Sequence, residues 1–145
     1  MQLIEAYERL ESPIVSIHEV PPGEVVHYGI LSGIWEDKDE TILKVKKFIE
    51  KPTVQYAEDF LGTVGKKKER QFFSVFGQYI LTPSVFKELE ENITFNRILE
   101  KNEEFGLTES LAALIDTSGL FGVVLNGKMF DMGNTNAYRK ALQNF

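Results

Sequence analysis

Phe72-Phe73-Ser74-Val75-Phe76-Gly77-Gln78-Tyr79-Ile80-Leu81-Thr82-Pro83 is the stretch that decides the fold. Apolar and aromatic side chains fall on both faces of Phe72–Leu81. A strand of that kind is covered on both sides and sits centrally in its sheet. Gly77 interrupts it, and a glycine inside a strand marks either a β-bulge or the close approach of another group. Pro83 suits the first turn of a helix. Val85, Phe86, Leu89 and Ile93 then trace an apolar stripe at helical spacing.

Working outward, Ile14–Val20 is β-branched and apolar on both faces, a second covered strand. Before it, Leu3, Ile4, Tyr7 and Leu10 recur at helical spacing, so residues 2–11 read as an amphipathic helix ended by Pro13. Pro21-Pro22-Gly23 breaks the chain. Tyr28–Trp35 and Ile42–Ile49 read as strands joined by the acidic turn Glu36–Glu40, a hairpin. In the second of these strands, alternation puts Ile42, Lys44, Lys46 and Phe48 on one face and Leu43, Val45, Lys47 and Ile49 on the other. A short helix follows Pro52 over Thr53–Leu61, then a basic loop over Gly62–Arg70. Residues 92–105 are ambiguous. Leu107, Leu111, Leu114 and Ile115 mark a further helix, and Leu120–Leu125 a strand. Asn126-Gly127 favours a tight type I′ turn, with Lys128–Asp131 returning. A terminal helix, N-capped by Asn134, carries Tyr138, Ala141, Leu142 and Phe145. Interleaved strands and helices with two hairpins give an α/β fold with a mixed sheet flanked by helices.

The chain has 145 residues, 43% of them apolar, so it is read as a single domain, 1–145, with a real core. Sixteen basic residues against twenty-two acidic ones leave a net charge of −6. That argues against broad nucleic-acid binding, which needs a basic surface. It leaves room for a small anion held by one or two local cations. The chain contains no cysteine, which excludes disulfides, thiolate metal sites and a cysteine nucleophile. No apolar run is long enough to span a bilayer, and Met1–Ala6 lacks the layout of a signal peptide. A cytoplasmic protein without membrane contact is the expectation. His18 and His27 stand in no ligand or triad pattern and are read as structural or surface residues.

Three places combine a glycine, a charge or a proline with a strand end. At Ile49-Glu50-Lys51-Pro52, a strand runs out into an anion, a cation and a residue that fixes the backbone. Glu50 can accept from sugar hydroxyls and Lys51 can act as a point charge on phosphate; a solvated strand end is the plain alternative. At Phe76-Gly77-Gln78-Tyr79, ligand approach and close helix packing fit equally well. At Phe130-Asp131-Met132-Gly133-Asn134, an acid before a glycine and a helix start suits a metal-binding carboxylate near a phosphate; a capping aspartate is the alternative. Tyr28-Gly29 is a weaker signal of the same type. Lys66-Lys67-Lys68 reads as a solvated charge run.

In order, Gln2-Leu3-Ile4 with Tyr7, Tyr28-Gly29-Ile30, Ile49-Glu50-Lys51-Pro52, Phe76–Pro83, Leu107-Thr108-Glu109, Phe130-Asp131-Met132-Gly133 and Tyr138 with Ala141 form a recognisable series. Over nearly all its residues the chain resembles the C-terminal half of the bacterial UTP–glucose-1-phosphate uridylyltransferases (UDP-glucose pyrophosphorylases), within the sugar-phosphate nucleotidyltransferase family. The resemblance implies the C-terminal portion of a Rossmann-like nucleotide-diphospho-sugar transferase fold. It also implies a reaction in which a sugar 1-phosphate and a nucleoside triphosphate give a nucleotide sugar and pyrophosphate, with catalysis resting on positioning and charge neutralisation. By the same resemblance, Lys51 holds the sugar phosphate and Glu50 binds sugar hydroxyls. Gly29 and Gly77 leave room for the sugar ring, and Asp131 contributes to a Mg2+ site.

The sequence also departs from that pattern. The family's glycine-rich strand–loop–helix, which cradles the triphosphate, has no counterpart here, so the N-terminal nucleotide-binding half is expected to be absent and the chain inactive alone. The family's Gln-Leu-Thr-Asp-Ala stretch is Gly106-Leu107-Thr108-Glu109-Ser110. The expected partners are a sugar phosphate with a nucleoside triphosphate or nucleotide sugar, and either the missing half or a second copy. Self-association, as a dimer, is expected if half a sheet leaves one edge unpaired and apolar surface uncovered. A non-catalytic sugar-nucleotide-binding or oligomerisation module is the alternative.

Overall fold

In the computed structural model the strand that dominates the sequence becomes the longest of the sheet. The structure describes residues 2–66, 68–98, 106–127, 139 and 142–143. In chain order the elements are α1 (Gln2–Leu10), β1 (Ile14–Val20), a 3-10 turn (Pro22–His27), β2 (Gly29–Trp35), β3 (Ile42–Glu50), α2 (Val54–Phe60), β4 (Thr63–Val64), β5 (Arg70–Ile80), α3 (Pro83–Ile98), α4 (Leu107–Ala113) and β6 (Phe121–Val124). The helical stripe begun at Pro83 runs to Ile98 and resolves part of the ambiguous stretch as helix. Asn126 and Gly127 form a bend, while the predicted returning strand lies outside the described residues. Of the predicted terminal helix, Arg139, Leu142 and Gln143 are helical, and Asn134 lies outside the description.

The sheet is mixed: β1 and β6 run parallel, and every other pairing is antiparallel. Its order is β1-β6-β3-β2-β5-β4, and β5 also pairs with β1. The pairings therefore close into a ring of five strands, with β4 attached to β5. Each strand of the ring thus has a neighbour on both sides for part of its length, while β4 pairs with β5 alone and leaves an edge among the described residues. The sheet curls far enough for β1 to meet both β5 and β6 over Ile14–Ile17.

Three apolar clusters account for the covered faces. Val85 of α3 and Leu111 of α4 pack with Leu114 and Leu120 against Val15, Ile17, Leu31, Leu43, Val45, Phe48 and Phe73. Val25, Ala57 and Leu61 cover Val20, Ile30 and Phe72. Ala6 of α1 covers Ile14, Ile42, Phe121 and Val123. Ile34, Phe60 and Val64 stay exposed, so some apolar surface is uncovered, as expected. Among the described residues no helix is long and apolar enough to cross a membrane.

Simple alternation fails in β3. The β2–β3 register slips between Ser32 and Gly33: Ser32 faces Lys47, and Gly33 faces Val45. Lys46 is the extra residue of a bulge. Side chains after it switch faces, so Phe48 joins the cluster of Leu43 and Val45 instead of following Ile42. Gly33 permits this crossing. A Cβ there would sit 2.0 Å from the carbonyl oxygen of Lys44.

Candidate functional site

The end of β3 and the start of β2 lie side by side, with Gly29 opposite Glu50. Lys51 extends the ladder by one bond, its N–H donating to the Tyr28 carbonyl at 3.0 Å. Pro52 has no N–H to continue it, and Thr53 caps α2 by accepting from the Tyr56 N–H. The corner between strand and helix holds Lys51 at φ 44°, in the left-handed region. A non-glycine residue placed there is uncommon and often marks a functional constraint. Lys51 Nζ lies 4.0 Å from Glu50 Oε1, and both side chains are substantially exposed. An exposed pair of that length adds little stability; it keeps a cation and an anion on one rim.

Other segments converge on Glu50. Thr108, in the first turn of α4, donates its hydroxyl to Glu50 Oε2 at 2.9 Å. Tyr79 of β5 feels the same carboxylate. Burial, and then the Glu50 charge, push its phenol above the usual tyrosine range. A Cβ on Gly29 would stand 2.9 Å from Glu50 Oε2 and 2.9 Å from Phe48 Cε2. The space at Gly29 is thus taken by Glu50 and Phe48.

Gly77 differs. It sits in a bulge where the two-residue step Val15–Ile17 faces the four-residue step Tyr79–Val75. Ser16 fastens the bulge by donating to the Phe76 carbonyl at 2.8 Å. Gly77 has φ +51°, and a Cβ there would meet nothing within 4 Å. Of the two uses that the sequence left open for this glycine, the backbone shows the bulge. Beside it His18 packs edge-on against Phe76 and Tyr28, at 5.6 and 6.2 Å between ring centres. The Ser74 hydroxyl lies 3.1 Å from His18 Nδ1. Burial holds the imidazole below the ordinary histidine range, partly opposed by Glu24. Of the two histidines read as structural or surface residues, His18 is half-buried among these rings and His27 is exposed.

Glu50, Lys51 and Gly29 are therefore brought together, with Tyr79 and Thr108 added. The bulge of Gly77 is linked to them through β5 and the His18–Tyr28 contact. Asp131 lies outside the described residues. Among those residues no three His, Asp or Glu side chains converge to hold a metal, so the Mg2+ expectation stays attached to Asp131. At this site the Glu50 and Lys51 side chains are both substantially exposed. Cavities of about 390 Å³ beside α1 and about 340 Å³ beside Pro21 and Pro22 contain none of its residues. Lys66 and Lys68 are exposed, as a solvated run should be. Thr108 stood in the Leu107-Thr108-Glu109 motif, but its contact with Glu50 was not legible, because 58 positions separate the two and no local pattern reports that contact. Tyr79 carried a signal, standing two residues beyond the glycine of the motif.

Chemically, this rim offers a carboxylate acceptor and an exposed ammonium, with a phenol and an open stretch of backbone on β5. It suits a ligand that combines hydroxyl donors with an anionic group.

The chain is similar to known proteins over its whole length. The chain is 29% identical over 140 residues to the UTP–glucose-1-phosphate uridylyltransferase of Pseudomonas aeruginosa strain PAO1, covering 97% of this chain and 43% of that protein. It is 28% identical over 139 residues to the enzyme of the same name from Streptococcus pneumoniae, covering 96% and 40%. A crystal structure of UDP-glucose pyrophosphorylase complexed with UDP-glucose superposes with a TM-score of 0.76 at 26% identity, over 99% of this chain and 47% of that one. The chain spans less than half the length of these relatives. The family profile described as Nucleotidyl transferase matches residues 1–145, and with the whole length matched, the chain belongs to the nucleotidyl transferase family.

Proposed function

We propose that this chain is the sugar-phosphate side of a uridylyltransferase that makes UDP-glucose and pyrophosphate from UTP and glucose 1-phosphate. It corresponds to the C-terminal portion of the Rossmann-like fold of its relatives. The observation that carries the reading is the convergence of Glu50, Lys51, Gly29 and Thr108 on one rim. In this reading, Lys51 binds the phosphate of glucose 1-phosphate as a point charge and Glu50 accepts from its hydroxyls. The backbone at Gly77 leaves the sugar ring space that no Cβ fills. A phosphate oxygen of the sugar then attacks the α-phosphorus of UTP as the bond to pyrophosphate breaks. Two anions must be brought together, so positioning and charge neutralisation supply the rate. Asp131 is assigned to a magnesium site, and the ion, when bound, would offset phosphate charge. The triphosphate cradle comes from an N-terminal portion outside this chain, in association with it or with a homo-oligomer of it.

The test measures pyrophosphate release from UTP and glucose 1-phosphate with magnesium, for this chain alone and mixed with the N-terminal portion of a full-length relative. None is expected from the chain alone. On mixing, activity should appear, and Lys51→Ala should lower it on the order of 100-fold. An unchanged rate in Lys51→Ala overturns the role of Lys51. A mixture that stays inactive but binds UDP-glucose favours a non-catalytic binding module.

A further inference from the structure

The geometry points to Thr108 as a positioning residue that sets the orientation of Glu50 and so determines whether the rim distinguishes a hexose phosphate from a bare phosphate. This rests on the functional reading above and assigns a residue to it. Glu50 ends a strand with its side chain partly in solvent, a setting in which a glutamate ordinarily samples several rotamers. Here its two oxygens are in different circumstances. Oε2 is turned inward, taking the Thr108 hydroxyl at 2.9 Å and occupying the hollow left by the missing Cβ of Gly29. Oε1 faces the Lys51 ammonium at 4.0 Å. A ligand hydroxyl approaching the rim therefore meets one oxygen beside the phosphate-binding cation, in a fixed direction. Locking a binding group in advance removes an ordering cost from each encounter.

Thr108 can do this because its own helix is anchored. Leu111, three residues on, is fully buried and packs with Leu43 and Val45 of β3. The helix that carries the hydroxyl thus rests on the strand that carries the carboxylate. Removing the hydroxyl while keeping the side-chain shape frees Glu50 and leaves Lys51 in place. The sugar hydroxyls should lose a partner and the phosphate should not.

The experiment titrates glucose 1-phosphate, and separately inorganic phosphate, into the wild-type chain, Thr108→Val and Thr108→Ser, followed by amide NMR shifts. The spectra also report whether each variant is folded. Thr108→Val should bind glucose 1-phosphate roughly two- to tenfold more weakly, as expected when one freed side chain must be ordered on binding. Its inorganic phosphate affinity should be unchanged. Thr108→Ser, which keeps the hydroxyl and loses the methyl, should bind both like wild type. The reverse pattern, a weak Ser variant and a normal Val variant, would mean that the methyl packs and the hydroxyl does not position. That pattern, or equal affinities in wild type and Thr108→Val, overturns the inference and leaves the functional reading standing. A wild-type chain that ignores glucose 1-phosphate overturns both.

Discussion

Replacing Lys51 should raise the protein's stability or leave it unchanged depending on what replaces it, while either replacement removes its function. Lys51 is held at φ 44° by its bond to the Tyr28 carbonyl and by the Pro52 corner. A side chain in the left-handed region costs roughly 1–2 kcal/mol relative to glycine. Glycine gives back about 0.5–1 kcal/mol through the greater freedom of the unfolded chain. Lys51→Gly should therefore be about 0.5–1 kcal/mol more stable than Lys51→Ala. Both variants lose the same charge, and the exposed contact with Glu50 at 4.0 Å contributes next to nothing to either. With a urea dependence of about 2 kcal/mol per molar, the midpoint of Lys51→Gly should lie about 0.2–0.5 M above that of Lys51→Ala. Glucose 1-phosphate binding should be lost in both. In Lys51→Gly stability and binding then move in opposite directions, as they do where strain is kept to place a functional group. A Lys51→Ala midpoint equal to or above that of Lys51→Gly would show that the left-handed backbone carries no strain, and this reasoning would fail.

Glycine to alanine should have very different effects at two strand positions. At Gly33 the new methyl would meet the Lys44 carbonyl at 2.0 Å, so the β2–β3 bulge must open; a loss of about 3 kcal/mol or more in urea unfolding is expected. At Gly77 nothing stands in the way, and only the positive φ is penalised, by about 1 kcal/mol. A Gly33→Ala protein as stable as wild type would refute the register assigned to the hairpin. His18 makes stability depend on pH. Burial lowers its pKa in the folded chain, so the unfolded chain binds the proton first as pH falls. Stability should be constant above the ordinary histidine pKa, decline as pH drops through it, and level off below the folded value. Urea midpoints between pH 7.5 and 5 (a window set by the ordinary histidine value of about 6.5), compared with His18→Asn, isolate this effect. A decline of equal size in the variant would assign it to other groups.

Local pattern was enough to place most of the elements. The helix ended by Pro13, the covered strand Ile14–Val20, the hairpin around Glu36–Glu40 and the helix begun by Pro83 stand where spacing, proline and β-branching put them, because those preferences act over a few residues. Gly77 was legible only in part: its place inside an apolar strand left a bulge or a close approach open, and the backbone shows the bulge. The chemistry of Glu50-Lys51-Pro52 was also legible, since an anion, a cation and a proline at a strand end are adjacent in the chain.

Tertiary structure decided the rest. Alternation along β3 misassigned Phe48 because the bulge at Lys46 adds a residue, and a bulge is set by the partner strand and by the missing Cβ of Gly33. The closed ring of pairings and the contact of Thr108 with Glu50 join residues far apart in sequence. Such contacts depend on how the sheet curls and which helix covers it, and neither leaves a mark on its neighbours in the chain. The sequence therefore determined which side chains carry charge at the rim, and the folded chain determined what holds them and in which direction they point.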